Sequence, residues 1–406
     1  VAAIAGCGEI ENGYTGAAMA AKVFVPKECA PGETRVAATP ETVKKYVKAG
    51  FEVAVEAGAG ASAHISDKAY EDAGAMLTSD PKGAWSSADM ILKIAPPQQN
   101  AALGADEASL IKEGALLVCH VWPHKNLPTV QTLRARKVSC LALELVPRIS
   151  RAQSMDTLSS QANIAGYKAV VLAASKLDKY FPLLMTAAGT IQPARVVIMG
   201  AGVAGLQAVA TARRLGAIVE VSDIRPEVKE QVESLGGKFI DLPLDESGSG
   251  EGGYAKEVTK EFLEKQRAIV RERVVHADVV ITTAQVPGRP APKLVPADMV
   301  KDMREGAIIV DLAADSGGNC ELTKNGEEIV EHGVLIIGYS DLPAQTAADA
   351  SVLFARNVHA LVNLFGKEGG LELDLEDEVI DGALLTHSGE VRHKPTAEAL
   401  QGGASS

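Results

Sequence analysis

Disulfides and thiolate metal sites are the first things this chain has little means to build. Its five cysteines, Cys7, Cys29, Cys119, Cys140 and Cys320, are scattered, odd in number and without a C-x-x-C pair. That pattern argues against a stapled domain or a zinc site and for a reducing compartment. Positive charge is also short, with 40 Lys and Arg against 52 Asp and Glu and a net charge of −12. Bulk electrostatics therefore argues against nucleic acid or an anionic membrane surface as a partner. No apolar run approaches the length of a bilayer span. The Gly/Ala-rich start, which includes Glu9 and Glu11, makes a poor signal peptide, and residues 1–21 read as a linker or tail.

What the chain has in quantity is apolar surface and a regular alternation of strand and helix signals. Its 406 residues are 47% hydrophobic, which suits two domains of ordinary size. The most informative stretch is 195–225. An apolar strand at 195–199 runs directly into Gly200-Ala201-Gly202-Val203-Ala204-Gly205, helix formers follow to Leu215, Gly216 stops them, and 217–221 is a second strand. A lone G-x-G-x-x-G is weak evidence. Set between strand and helix, with an acid about twenty residues on, it is a dinucleotide fingerprint. Gly200 permits the tight turn, Gly202 lets the backbone approach a pyrophosphate, and Gly205 lets the helix sit close to the strand. The helix N-terminus then offers N–H groups to the phosphates. Asp223, at the end of the second strand, can accept ribose hydroxyls, which favours NAD over NADP. Arg225 is the nearby group that could meet a 2′-phosphate instead.

The nucleotide domain continues with strands at 238–240, 279–282, 308–312 and 334–338, six in all. Before it, strands at 23–25, 51–55, 90–94, 115–119 and 138–143 alternate with helical stretches such as 40–49 and 127–136. That is the pattern of a second parallel sheet covered by helices, and it lacks the nucleotide fingerprint. Long helical stretches at 162–177 and 347–365 read as connectors that leave a cleft between the domains. The expected fold is thus α/β, two doubly wound Rossmann-like sheets, with 22–150 plus 347–406 as the first domain and 160–346 as the NAD-binding one. A glycine- and serine-rich interruption at 245–254 ends in Tyr254 and reads either as an insertion or as a lid over the nucleotide. Turn signals at Asp381-Gly382 and Ser388-Gly389 suggest a small hairpin in the tail.

Two sets of residues could carry chemistry. Arg35, Lys93 and His120 follow or end strands of the first domain and Asp315 follows a strand of the second, together outlining an amino-acid dehydrogenase site. Between the sheets, Arg148, Gln153, Asp156 and Ser159 offer an amide, a carboxylate and a hydroxyl that suit a nicotinamide carboxamide, which has both a donor and an acceptor to satisfy.

Arg148-Ile-Ser-Arg-Ala-Gln-Ser-Met-Asp156, Ser160-Gln-Ala-Asn-Ile-Ala-Gly-Tyr-Lys168, Met185-Thr-Ala-Ala-Gly189, Gly253-Tyr-Ala-Lys-Glu257 and Asp311-Leu-Ala-Ala-Asp-Ser-Gly-Gly-Asn-Cys320 together resemble the NAD(H)-binding domain of proton-translocating nicotinamide nucleotide transhydrogenase. The resemblance runs from Lys22 to about Gly366, and the family is similar in fold to alanine dehydrogenase. It implies that Arg148, Ile149, Ser150, Gln153, Asp156 and Ser159 hold the nicotinamide end. Gly200, Ala201, Gly202, Val203 and Gly205 would hold the pyrophosphate, and Asp223, Ile224 and Arg225 the adenosine ribose. Gly253 and Tyr254 would belong to the loop, with Gln266, Thr283, Ala284 and Gln285 lining the rest. Arg148, Gln153, Asp156, Ser159 and Tyr254 would serve the hydride step. The resemblance also implies NAD(H) on this chain, NADP(H) on a partner domain, a membrane-spanning proton-channel domain, a homodimer, and a place on the cytoplasmic or mitochondrial-matrix face of an energy-transducing membrane. One departure is Pro343-Ala344-Gln345, where the family pattern has proline, serine and arginine.

Overall fold

The computed structural model describes residues 20–241, 260–285 and 289–402, with backbone only at 260–264. Two sheets organise the chain. The first has the order Met76–Thr78, Glu52–Glu56, Lys22–Val25, Met90–Leu92, Leu116–Cys119, Ser139–Ala142, Leu384–His387, Glu390–Val391. The second runs Lys238–Phe239, Ile218–Ser222, Arg195–Met199, Val279–Thr282, Ile308–Asp311, Val334–Ile337, Glu328–Glu331. The parallel strands of each sheet, numbered along the chain, fall in the same 3-2-1-4-5-6 order, so each sheet reverses direction beside its first strand. Ligands bind at such switch points, outside the carboxyl ends of the strands.

Helices cover both faces of each sheet, which explains the near-continuous apolar strands. Successive side chains point to opposite faces. Val23 and Val25 enter one core of the first sheet and Phe24 the other, against Trp85 with ring centroids 5.8 Å apart. Val196 and Ile198 likewise separate from Val197 and Met199 in the second sheet. Two helices, Thr157–Lys176 and Ala347–Val362, lie between the sheets and against each other, with Gln161 Nε2 donating to Ala350 O at 3.1 Å. The first of them packs on Val203–Arg214 through Gly166, where a Cβ would stand 2.8 Å from the Ala204 carbonyl carbon.

Several elements differ from the sequence expectation. The second sheet has seven strands, not six, because Glu328–Glu331 pairs antiparallel with Val334–Ile337. Its sequence, polar at both ends with Val330 exposed, has no inward face to announce it; His332 and Gly333, both at positive φ, make the two-residue turn that forces the pairing. In the first sheet, Met76–Thr78 is too short to read. The tail hairpin turns at Ser388-Gly389 as expected, but Asp381-Gly382 lies inside a helix, Glu378–Ala383, which Asp377 caps through the N–H groups of Val379 and Ile380. The long connecting helix starts at Thr157 rather than Ala162, because Asp156 caps it there.

Candidate functional site

The glycine turn sits at the switch point of the second sheet. Gly200 holds φ +107°, and a Cβ on it would stand 2.5 Å from Thr283 Oγ1. At Gly205 a Cβ would stand 2.9 Å from the Gly200 carbonyl carbon and closer still to its oxygen, so only glycine lets the Val203–Arg214 helix begin against the turn. Gly202 differs: its φ of −76° suits any residue, and a Cβ there meets nothing within 4 Å. That open space, with a helix N-terminus that has no side-chain cap, leaves first-turn N–H groups for an anion. The residues present fit a pyrophosphate.

Asp223 follows the Ile218–Ser222 strand. Its Oδ2 accepts the Ala201 N–H at 2.6 Å and its Oδ1 the Arg225 N–H at 2.9 Å, while the Arg225 guanidinium donates to both oxygens, at 3.0 and 2.9 Å. Burial works against ionisation, but Arg225 and the two backbone donors outweigh it and hold the carboxyl below the usual Asp range. The Asp223 side chain is 5% exposed and that of Arg225 49%. Arg225 is therefore a cover lying on the carboxylate rather than a free cation beside it. Such a half-exposed pair is worth only about 0–1 kcal/mol, so ribose hydroxyls can displace it at little cost. Ile224, beside it, is almost fully exposed.

The 148–159 segment spans two elements rather than one turn of backbone. Ser150–Met155 is a 3-10 helix whose Ala152 and Met155 enter the first-sheet core, with Ile149 packed partly against it. This turns Gln153 outward. Arg148, Ser150 and Gln153 are exposed, and among the described residues their side chains make no hydrogen bond. Asp156 caps the connecting helix, its Oδ1 accepting the Ser159 N–H at 2.9 Å and its Oδ2 the Ser159 hydroxyl at 2.6 Å. That leaves about two of the roughly four acceptor positions of a carboxylate unused.

The second constellation is dispersed and largely satisfied from within. Arg35, nearly buried, forks onto Glu33 and reaches Gln161 Oε1 at 2.9 Å and Asp341 Oδ2 at 3.0 Å. Burial opposes ionisation of Glu33 but Arg35 outweighs it, whereas Asp341 is pushed up by burial despite Arg35. Lys93 is fully buried between Glu28 and Glu107, the latter at 3.5 Å. Burial raises the Glu28 carboxyl above its usual range, with Lys93 only partly offsetting it. Neither cation is free to take a substrate carboxylate, contrary to the dehydrogenase outline. Asp315 pairs with Lys125 at 3.1 Å across the cleft, and His120 hydrogen-bonds Thr157. The Gln345 departure leaves the local contact intact, since Thr34 Oγ1 donates to the backbone oxygen of Ala344.

Thr283 Oγ1 donates to Gly200 O at 3.1 Å, and Gln285 Nε2 to Leu312 O at 2.8 Å, so this loop braces the glycine turn. Sequence reasoning missed what holds it. Asn319, fully buried, accepts the Ala284 N–H at 3.0 Å and donates to the carbonyls of Ala284 and Pro292. Asp311 accepts from Thr282, Ala313, Cys320 and Thr323. Both lie in the 311–320 stretch that carries the resemblance, but no local periodicity singles them out. Gln266 lies on the Lys260–Val275 helix. Gly253 and Tyr254 lie outside the described residues.

Comparison with known proteins agrees with this geometry. Residues 24–165 match the N-terminal domain and 169–394 the C-terminal domain of the alanine dehydrogenase/PNT family. A relative from Rhodospirillum rubrum, a NAD(P) transhydrogenase subunit alpha, is 50% identical over 92% of this chain and 98% of its own length. A transhydrogenase structure from Sinorhizobium meliloti aligns with TM-score 0.82 and 44% identity, covering 91% of this chain and 99% of that one. An L-alanine dehydrogenase structure aligns with TM-score 0.77 at 27% identity, covering 94% and 99%.

Proposed function

The chain belongs to the alanine dehydrogenase/PNT family, as an oxidoreductase component of its transhydrogenase branch, and from that premise we propose that the nicotinamide nucleotide it binds is NAD(H). The nicotinamide is presented to NADP(H) on a partner NADP(H)-binding domain, and hydride passes directly between the rings. A membrane-spanning component couples that step to proton translocation, with this chain on the cytoplasmic or matrix face of the membrane. Among the described residues no helix is long and apolar enough to cross a bilayer.

One observation carries the reading: two exposed, uncommitted side chains, Arg148 and Gln153, stand beside the Asp156–Ser159 pair, while Arg35 and Lys93 are already enclosed by acids. The amino-acid dehydrogenase reading needs the opposite. The bound nicotinamide supplies or accepts the hydride. The chain's part is to hold the pyrophosphate at the Gly202 turn, the ribose at Asp223, and the carboxamide between Gln153 and the free lone pairs of Asp156. No general acid or base is required. Orientation of this kind can be worth about 7–11 kcal/mol of barrier. The hairpin Leu184–Thr186/Gly189–Ile191, with Met185 75% exposed and Leu183 and Ile191 also open, offers an apolar face to a second copy, in keeping with a homodimer.

The test is calorimetric titration with NADH and NADPH, then mixing with the NADP(H)-binding domain of a related transhydrogenase and following hydride transfer to a nicotinamide analogue. NADH should bind at least tenfold tighter, or about 1.4 kcal/mol. Equal affinities, or NADH oxidation by pyruvate and ammonia without a partner, overturn the reading.

A further inference from the structure

We propose that His120 is a positioning residue for hydride transfer, acting through Thr157 on the Asp156–Ser159 pair. The inference rests on the reading that this pair orients the nicotinamide. His120 leaves the Leu116–Cys119 strand at its carboxyl end, with its backbone N–H donating to Ile94 O at 3.1 Å. Its ring is held on several sides. Trp122 stacks on it with centroids 5.3 Å apart and planes 6° from parallel, and Phe354 of the Ala347–Val362 helix lies at 5.7 Å. Trp122 itself is at φ +50°, an uncommon conformation for a bulky residue. It is kept there by Glu144, whose carboxylate accepts the N–H groups of Val121 and Trp122.

A locked ring of this kind aims its nitrogens. Nδ1 is buried without a hydrogen bond, with Glu144 Oε2 at 3.4 Å. Nε2 meets the Thr157 hydroxyl at 3.3 Å, the one hydrogen bond of the imidazole among the described residues. Thr157 is fully buried and is the first residue of the helix that Asp156 caps. Losing the His120 contact removes a tie between this first turn and the first domain, lets Thr157 shift, and carries Asp156 and Ser159 with it. Strain at Trp122 that would be idle in a mere core filler is thereby given a purpose: it fixes the plane of the ring that fixes the turn.

The bland alternative is that His120 only fills space between Trp122 and Phe354. Two substitutions separate these readings, because leucine keeps most of the bulk without a polar atom, whereas glutamine presents an amide near the position of Nε2. With the full chain, the NADP(H)-binding domain of a related transhydrogenase and saturating NADH, His120→Leu should slow hydride transfer at least about tenfold, a fraction of the roughly hundredfold cost of a 1 Å misplacement. His120→Gln should stay within about threefold of the parent, Thr157→Val should match His120→Leu, and the double variant should be no slower than either. NADH affinity should change by less than about threefold throughout. Equal rates for the Leu and Gln variants, or a His120→Leu rate equal to the parent, overturn the proposal. Asp156→Asn, which remains a good helix cap, is run alongside. If it slows transfer while His120→Leu does not, only this inference falls; if Asp156→Asn transfers hydride at the parent rate, the nicotinamide reading itself falls and takes this inference with it.

Discussion

Adding a methyl group at Gly202 and adding one at Gly205 change the same turn by the same volume, and the structure separates their effects. At Gly205 the new Cβ stands 2.9 Å from the Gly200 carbonyl carbon, where ordinary contact begins at 3.4 Å, so the helix start must retreat by at least 0.5 Å. Overpacking of that order costs about 1–3 kcal/mol, or a melting temperature lower by about 2–12 °C at some 2–4 °C per kcal/mol. At Gly202 the methyl meets nothing and the backbone angle is ordinary. The stability change is only that of Ala for Gly at a helix cap, below about 1 kcal/mol. What it fills is the space left for the pyrophosphate, so NADH affinity should fall at least about tenfold. Scanning calorimetry of both variants and titration with NADH make the comparison. A Gly202→Ala protein that binds NADH like the parent, or melts as low as Gly205→Ala, refutes the assignment of the open glycine to the phosphates.

Gln153→Asn shortens the reach of an exposed amide by one methylene while leaving the adenosine half untouched. Hydride transfer should drop by about a hundredfold with NADH affinity within about tenfold, and a collapse of affinity at normal saturated rate would make the segment an anchor instead. Asp223→Asn should erase most of the preference for NADH over NADPH in titration. Because the folded carboxyl lies below its unfolded value, its stabilisation is complete above about pH 4 and is lost as pH falls through the lower folded value. Urea melts of the ligand-free Asn variant should therefore show a flatter acid limb than the parent, and identical limbs count against the charge. Lys93→Met strands Glu28 and Glu107 without their cation. A loss of about 3–5 kcal/mol in urea unfolding is expected, and a loss under about 1 kcal/mol would mean the network is not structural.

The glycine turn was legible because its instruction is local: strand, glycines, helix and acid lie within one βαβ unit, and steric reasons for each glycine follow from that unit alone. The strands of both sheets were legible for a similar reason, as apolar runs bounded by helices. What sequence could not supply was partnership over distance. Arg35 and Lys93 read as free cations at strand ends because Glu33 and Glu28 look like loop acids, and Glu107 lies on a different helix altogether. Arg225 read as a bystander of Asp223 although it folds back onto the carboxylate. Asn319 and Asp311 have no pattern, since their value comes from the loops they tie together rather than from a face they share. The Glu328–Glu331 strand exists because a neighbour and a two-residue turn impose it, against a composition that suits a loop.

Two sheets with one strand order but different switch points show how the work is divided. In the second sheet the residues after the first strand are small and leave room, at Gly202, for a ligand. In the first sheet the corresponding end carries Glu28, Glu33 and Arg35, whose charges are spent on one another and on neighbouring elements. Arg35 alone touches the first domain, the connecting helix through Gln161 and the second domain through Asp341. The other cross-cleft pair, Lys125 with Asp315, has both side chains more than a third exposed, and pairs of that kind contribute little. Resistance to opening is therefore concentrated at the buried Arg35 fork, while the exposed Arg148 and Gln153 are free of it. The switch point that one sheet uses to receive a ligand is used by the other to hold the two sheets at a fixed separation, which is what a chain that must present a ring to a partner requires.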